Sequence, residues 1–217
     1  MSKWSAILLL GPTGVGKSPL GDLLSEKGLL GKRCLHFDFG QQLRSIAYGP
    51  SRKEFLPSER IFIQKVLEEG LLLEDQHFPL ALKILRFFLA SKKAQGNELL
   101  VMNGLPRHQG QAEALRPWVA INTVVVLEAS FEEVLERIHK DVGGDRKGRR
   151  DDYIELIYKK WLTYRERTRP LINYYQKIGT PVAKILVGRK TSPVETYYRL
   201  VHTLKQNHHL CLKLSGA

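Results

Sequence analysis

Cysteine is rare in this sequence, with only Cys34 and Cys211 among 217 residues. Two cysteines cannot form a disulfide framework, and their spacing is not that of metal ligands. Long apolar runs are also missing near the start, where the run Ile7–Leu10 is followed at once by Gly11. This run is too short for a signal peptide or a membrane span. We therefore expect a cytoplasmic protein with free thiols and no membrane partner.

Acidic residues are outnumbered, because 34 Lys and Arg face 22 Asp and Glu and leave a net charge of +12. Such an excess attracts anions and raises their concentration in clefts. It is compatible with nucleic acid, an acidic membrane surface or a phosphorylated small molecule, and charge alone does not choose among them. The apolar share of 43% is ordinary, and the length suits one medium-sized domain with its own core.

Short apolar runs alternate with longer helical patterns along the chain. The predicted strands are Trp4–Leu10, Arg33–Phe37, Glu98–Asn103, Asn122–Leu127 and Val182–Val187. This alternation is typical of a parallel sheet with helices on both faces. We expect a long helix over Asp151–Ile178, broken or bent near Pro170, and a final amphipathic helix over Ser192–Lys205. The last residues, Gln206–Ala217, show no clear pattern.

Two stretches depart from a simple alternation of strands and helices. Residues 41–94 are mostly helical and exceed the usual crossover, so they predict a small helical subdomain. Residues 141–150, Asp-Val-Gly-Gly-Asp-Arg-Lys-Gly-Arg-Arg, are rich in glycine and charge and predict a mobile loop.

The strongest motif is Gly-Pro-Thr-Gly-Val-Gly-Lys-Ser at residues 11–18, a complete G-x-x-x-x-G-K-S/T phosphate loop between a predicted strand and helix. Its glycines let consecutive backbone N–H groups point at phosphate oxygens, and the following helix adds the positive end of its dipole. Lys17 should reach the β- and γ-phosphates, and Ser18 should ligate Mg²⁺. The residues predicted to bind ATP are Gly11, Gly14, Val15, Gly16, Lys17, Ser18 and Gly188.

Later segments, in order, resemble the adenylate kinases among the nucleoside-monophosphate kinases. The matching segments are His36–Arg44, which is similar to H-x-S-T-G-D-x-L-R; Glu68–Asp75, to E-G-x-L-V-x-D; Asn103–Arg107 with Gln111 and Ala112, to D-G-F-P-R-x-x-x-Q-A; Gly148–Asp152, to G-R-x-D-D; and Tyr164–Tyr175, to Y-x-x-x-T-x-P-L-I-x-Y-Y. The resemblance extends from about residue 5 to residue 205. It implies a three-layer α/β/α P-loop fold with a five-stranded parallel sheet in the order 2-3-1-4-5.

The resemblance also implies roles for single residues. Arg44 and Arg107 would hold the acceptor phosphate, because a planar guanidinium binds phosphate through two hydrogen bonds, and Gln111 would contact the acceptor base. The catalytic residues implied are Lys17, Arg137 and Arg149. The substrate-binding residues implied are Gly40, Arg44, Leu73, Gly104, Arg107, Gln111 and Lys160.

The domain organisation that follows is one P-loop kinase domain over residues 1–217. Its core comprises residues 1–40, 95–140 and 151–205, its monophosphate-binding insert residues 41–94, and its lid residues 141–150. The short lid has no Cys-x-x-Cys pair, so no structural zinc is expected. ATP and Mg²⁺ are the expected cofactors, and we expect a monomer without a stable nucleic-acid partner.

Four positions depart from the family pattern. Asn103 replaces the Asp that usually helps to hold Mg²⁺, and Asp38 is a candidate to supply that charge beside Ser18, although it could equally cap a helix. Lys160 stands where Arg is usual, Asp141 lies near the position of another Arg, and Phe39 replaces a Thr that touches the base.

These features predict Mg²⁺-dependent transfer of the ATP γ-phosphate to a monophosphate, with AMP as the first candidate. A carboxylate directed at the acceptor would repel a phosphate and assist a hydroxyl, so a kinase of a hydroxylated metabolite, similar to shikimate kinase, stays open. A tRNA-modifying prenyltransferase has a similar Gly-Pro-Thr opening and would suit the basic charge, but it would not explain Gly104–Arg107 or the short length. A non-catalytic ATP-dependent module, with or without RNA as its partner, is the remaining alternative.

Overall fold

Five short strands form one parallel sheet in the computed structural model, which describes residues 3–50, 53–146 and 153–206. They are β1 (Trp4–Leu10), β2 (Cys34–Asp38), β3 (Leu99–Asn103), β4 (Val119–Glu128) and β5 (Val182–Leu186). Their order is β2-β3-β1-β4-β5, and all pairs are parallel. The predicted fold class and strand order are therefore confirmed. The largest error lies in β4, which begins three residues before the predicted start at Asn122.

Nine α-helices connect or flank these strands in the described part of the chain. They are α1 (Lys17–Lys27), α2 (Phe39–Tyr48), α3 (Pro57–Glu69), α4 (Phe78–Ser91), α5 (Gln109–Leu115), α6 (Phe131–His139), α7 (Ile154–Thr163), α8 (Leu171–Lys177) and α9 (Pro193–Gln206). A 3₁₀ turn spans Asp75–His77 and a π-helical segment spans Tyr164–Thr168. None of the helices in these ranges has the length and apolar character needed to cross a bilayer.

The central strand β1 is apolar on both faces because helices cover the sheet on both sides. Side chains alternate between the two faces of a strand. Ala6, Leu8 and Leu10 accordingly join one buried cluster, while Ile7 and Leu9 join another on the opposite face. This burial on both sides explains why the strands are nearly continuous apolar runs rather than alternating ones.

The helical insert between β2 and β3 packs into the same core as one face of the sheet. Ile46 of α2, Ile63 of α3 and Ile84 of α4 are buried in the cluster that also contains Leu8 of β1. Burial of each such side chain contributes about 1.5–3 kcal/mol of stabilising free energy and holds these helices against this face of the sheet. The insert therefore places α2 and α3 beside the carboxyl ends of β1 and β3, where ligands bind in open α/β sheets.

The helix predicted over Asp151–Ile178 is divided into three pieces. α7 ends at Thr163, a π-turn follows in which the N–H of Arg169 donates to the carbonyl of Tyr164 at 2.7 Å, and α8 starts at Leu171. Pro170 has no N–H and its ring crowds the carbonyl four residues before it, so the preceding turn widens. The break thus begins about six residues before the proline, and the predicted first residues of the helix, Asp151 and Asp152, lie outside the described residues.

Candidate active site

The phosphate loop follows β1 and turns sharply into α1. Gly11, Gly14 and Gly16 have φ values of 152°, 79° and 106°, a region that side chains with a Cβ rarely adopt. A Cβ at Gly14 would lie 2.5 Å from the side chain of Ile138 on α6, so the loop also needs glycine there for space. These conformations direct the loop towards the N-terminus of α1, a ready anion-binding position.

Lys17 lies across this loop. Its Nζ donates to the carbonyls of Gly11 at 2.7 Å and Pro12 at 2.6 Å. Burial lowers the pKa of Lys17 to about 7, and repulsion from Arg107 acts in the same direction, while Asp38 opposes both. The surroundings of Lys17 therefore disfavour its charged form, which an incoming polyphosphate would stabilise.

One cavity joins the phosphate loop to the helical insert. Most of the predicted site residues line it, namely Gly11, Gly14, Gly16, Lys17, Ser18, Gly40, Arg44, Leu73, Gly104, Arg107, Gln111 and Lys160. The predicted donor and acceptor residues thus line a single cavity, although the most distant of them, Gly11 and Lys160, are about 150 positions apart in the sequence. Phe39 also lines this cavity, next to Gly40.

The part of the cavity predicted to bind the acceptor, called the acceptor wall below, is built around Arg107, which follows β3. Its Nε donates to Thr168 Oγ1 of the π-helical segment at 3.1 Å, and no carboxylate among the described residues pairs with it. Burial lowers the pKa of Arg107 to about 10, so the guanidinium remains charged at neutral pH. A buried cation without an acidic partner is costly in a ligand-free protein and is typical of an anion-binding site.

Gln111, on α5, supports this wall. It is 1% exposed; its Oε1 accepts from the backbone N–H of Arg107 at 2.7 Å and its Nε2 donates to the carbonyl of Leu73 at 2.7 Å. His108 Nε2 also contacts the Leu73 carbonyl at 3.0 Å. The amide therefore fixes Arg107 and Leu73 relative to each other, in addition to lining the cavity.

Asp38 contacts both neighbouring elements at the end of β2. Its Oδ1 accepts from the backbone N–H of Gln41 at 2.9 Å and caps α2, and its Oδ2 accepts from the Ser18 hydroxyl and from Asn103 Nδ2 at 2.9 Å. Burial would raise the pKa of Asp38, but the hydrogen bonds from Ser18 and Gln41 and the charge of Arg44 outweigh it and hold the pKa below its usual value. The carboxylate is ionised and turned towards the phosphate loop.

Three predicted residues lie behind the loop rather than along the cavity. Arg137 is 3% exposed, and its Nη1 donates to the carbonyls of Gly188 at 2.8 Å and Thr191 at 2.7 Å. A Cβ on Gly16 would approach Arg137 Nη2 to 3.3 Å, so the guanidinium lies against the loop backbone. Val15 is fully buried and packs into the core. These three residues therefore support the phosphate loop on the side away from the cavity.

The structure describes only part of the predicted lid, residues 141–150, and the predicted catalytic Arg149 lies outside the described residues. Arg146, which sequence reasoning missed, lines the cavity together with Asp145. Its backbone N–H donates to Asp141 Oδ1 at 3.1 Å, and its Nε lies 3.6 Å from Asp145 Oδ1. The signal was a basic residue within a glycine-rich loop, but the family pattern directed attention to Gly148–Asp152 instead.

Comparison with known proteins gives concordant results. Residues 7–158 match the family model described as an AAA domain. Adenylate kinase from Synechococcus sp. (strain WH7803) is 35% identical over 178 residues, which cover 80% of this chain and 85% of that protein. Adenylate kinase from Thermus thermophilus is 32% identical over 206 residues, which cover 92% and 97%. A gluconokinase structure from Sinorhizobium meliloti 1021 aligns over the whole of both chains with a TM-score of 0.53 and 18% identity, a likeness of fold.

Proposed function

Because this chain belongs to the adenylate kinase family of P-loop kinases, we propose that it transfers the γ-phosphate of ATP to a nucleoside monophosphate, with AMP as the first acceptor to test. The relatives named adenylate kinase cover most of the chain and support this proposal. The proposed reaction is ATP + AMP = 2 ADP.

The observation that supports the proposal most directly is the environment of Arg107. Its guanidinium is desolvated and donates to Thr168, and among residues 3–50, 53–146 and 153–206 no carboxylate pairs with it; it lines the same cavity as Lys17. Arg44 of α2 lines this cavity as well. A dianionic phosphate placed between Arg44 and Arg107 would supply the missing negative charge, and the guanidinium forks match its geometry.

On the donor side, the polyphosphate of ATP would lie in the loop formed by residues 11–18, with Lys17 against the β- and γ-phosphates. The oxygens of Ser18 and Asp38 fit a hard cation such as Mg²⁺, which favours one or two carboxylates together with phosphate oxygens and water. Bound Mg²⁺ would neutralise charge on the β- and γ-phosphate oxygens. Lys17 would orient the transferring group and stabilise its charge in the transition state.

Further cations would close around the transferring phosphate. Lys160 and Arg146 line the cavity, and Arg149 of the proposed lid, residues 141–150, would join them. Arg137 would keep the loop in its binding conformation through its contacts with the backbone. Closing the lid would exclude water, so that the acceptor phosphate is the nucleophile nearest to the γ-phosphate. Catalysis would then rest on positioning and charge neutralisation.

A hydroxyl acceptor is less well supported because such an acceptor benefits from a carboxylate that faces it. Asp38 is not part of the cavity wall, and its Oδ2 is directed at Ser18 of the phosphate loop rather than at the acceptor side. Asp145 is the single acidic residue in the described wall, and it lies beside Arg146. The acceptor side therefore presents cations rather than a base.

The test is a coupled assay of ADP formation from ATP with AMP, CMP, UMP, GMP and dTMP, run beside hydroxylated acceptors such as shikimate and gluconate. We expect turnover with at least one monophosphate, and AMP first. Turnover only with a hydroxylated acceptor, or with none of these compounds, would contradict the proposal.

An independent binding test uses diadenosine pentaphosphate, which carries two adenosines joined by a phosphate chain. If the cavity holds two nucleotides at once, this compound should raise the melting temperature more than ATP or AMP alone at the same concentration. An effect no larger than that of ATP would indicate one nucleotide site and would contradict a monophosphate acceptor.

A further inference from the structure

We propose that the carboxylate which anchors the Mg²⁺ of bound MgATP has moved in this chain from β3 to β2, so that Asp38 supplies the charge and Asn103 positions it. This inference rests on the proposed ATP-dependent phosphotransfer and deepens it by assigning the metal-binding side of the same site. It depends on a juxtaposition of two residues that lie 65 positions apart in the sequence.

The two residues are register partners at the carboxyl ends of neighbouring strands. Asp38 is the last residue of β2, Asn103 is the last residue of β3, and the two are paired across the parallel ladder. Adjacent strands lie about 4.8 Å apart. An exchange of Asp and Asn between these positions therefore moves one negative charge by a single strand and leaves the number of charges unchanged.

The contacts direct the charge to the metal-binding end of the phosphate loop. Asp38 Oδ2 accepts from the Ser18 hydroxyl and from Asn103 Nδ2, and Asn103 Nδ2 is also 3.2 Å from Ser18 Oγ. Because Ser18 donates its proton to Asp38 and accepts one hydrogen bond from Asn103, one lone pair of its oxygen remains for a cation. A serine oxygen and a carboxylate oxygen side by side are the donor set that Mg²⁺ uses beside substrate phosphates.

Helix capping alone does not explain this arrangement. A cap needs one side-chain oxygen, which Asp38 supplies through Oδ1 to the backbone N–H of Gln41. Asn would cap α2 almost as well, without burying a charge at a position that is only 6% exposed. The second oxygen and the negative charge therefore have a use beyond the helix, and both are directed at Ser18.

The amide of Asn103 is suited to this arrangement in a way that a second carboxylate is not. An Asp at position 103 would place two carboxylates within hydrogen-bonding distance, where they would repel each other or share a proton. The Nδ2 group of Asn103 instead donates to Asp38 and fixes its orientation. Asn103 is therefore a positioning residue, and it is effective only while Asp stands at position 38.

The experiment compares four proteins: the natural chain, Asp38→Asn, Asn103→Asp and the double exchange Asp38→Asn with Asn103→Asp. Calorimetric titration gives the Kd of ATP in excess Mg²⁺ and in EDTA, without any acceptor. The ratio of the two Kd values measures how much the metal strengthens ATP binding. Electron paramagnetic resonance of Mn²⁺ with bound ATP reports the metal site directly.

The ratio of the Kd in EDTA to the Kd in excess Mg²⁺ is the metal-linked gain. We expect this ratio to fall roughly tenfold or more in Asp38→Asn, while the Kd in EDTA changes little. Asn103→Asp alone should also lower the gain, because its two carboxylates hinder each other. The double exchange restores one charge and one amide, so it should recover most of the ratio and the Mn²⁺ spectrum. A purely structural role for either residue would predict additive losses with no recovery.

Two outcomes would overturn the inference: an unchanged Mg²⁺-to-EDTA ratio in Asp38→Asn, or a double exchange no better than the weaker single variant. If Asp38→Asn does not fold, the double exchange decides. A Kd ratio in the double variant within about threefold of that of the natural chain supports the inference. A Kd ratio near one, meaning that the metal no longer strengthens ATP binding, overturns it. Because no acceptor is present, failure here leaves the monophosphate assay of the natural chain unaffected, and the two proposals can fail separately.

Discussion

The two walls of the cavity are built in different ways. The donor wall is a single run, residues 11–18, in which glycine conformations turn backbone groups towards a phosphate chain. The acceptor wall combines Arg44 from α2, Arg107 after β3 and Thr168 from the π-helical segment. One wall depends on local geometry, whereas the other depends on how distant elements pack.

The walls also differ in how strongly they need a ligand. Burial lowers the pKa of Lys17 to about 7, although backbone carbonyls and Asp38 surround it. Burial lowers the pKa of Arg107 only to about 10, so this side chain stays charged although no carboxylate in the described ranges pairs with it. The donor wall can release its charge as a proton, but the acceptor wall cannot. The negative charge of the proposed monophosphate would balance this cation.

The largest expected effect is on the donor wall. Lys17→Met should lower kcat by at least about 10²-fold, because a cation that stabilises the transferring phosphate is lost. The melting temperature of the ligand-free protein should change by only a few degrees, since the variant no longer buries an ammonium group. A coupled ADP assay and circular dichroism melting measure the two quantities. Activity close to that of the natural chain would break the assignment of the donor wall.

The next effect sharpens the contrast by changing the acceptor wall alone. Arg107→Gln should raise the KM for the monophosphate roughly 10–100-fold through the loss of charge-assisted hydrogen bonds, and the KM for ATP should change far less. Arg116→Gln, which alters an exposed arginine outside the cavity, is the matched control and should leave both KM values unchanged. Equal increases in both KM values for Arg107→Gln would show that the two walls are not separate.

The smallest effect is a proton taken up at the donor wall. At pH 8 most ligand-free protein should hold neutral Lys17, since its pKa is about 7. Bound polyphosphate favours the charged form and raises this pKa, so ATP binding should take up about one proton at pH 8 and almost none at pH 6. Calorimetry in buffers of different ionisation enthalpy measures the uptake. Lys17→Arg, which stays charged throughout, should remove the difference between the two pH values; an unchanged difference would contradict the assignment.

Much of the fold could be predicted because its signals are local. The five apolar runs predicted the strands within three residues, and the resemblance to a kinase family implied their order. The division of the Asp151–Ile178 helix was predicted near Pro170, but the π-turn before it was not, since nothing in the residue types of Tyr164–Thr168 indicates a widened turn. Arg146 was missed for a similar reason: its place in the cavity depends on the loop that follows α6.

The role of Asp38 could not be decided from the sequence pattern. Its type and position allowed either a cap or a metal ligand, and no spacing rule distinguishes the two roles. In the folded chain one oxygen caps α2 while the other meets Ser18 and Asn103. The two interpretations are thus compatible, because the two carboxylate oxygens can serve different partners.

The phosphate loop, the buried strands and the cationic character of the site follow from neighbouring residues, because backbone conformation, side-chain period and charge are local properties. The partners of Asp38 and the contact of Arg107 with Thr168 exist only after β1, β2 and β3 pair and the π-helical segment packs beside them. The location of Arg137 behind the loop likewise requires α6 to lie against the phosphate loop. Contacts between residues 50 or more positions apart are established by packing of the sheet and helices, so they cannot be predicted from any short stretch of sequence.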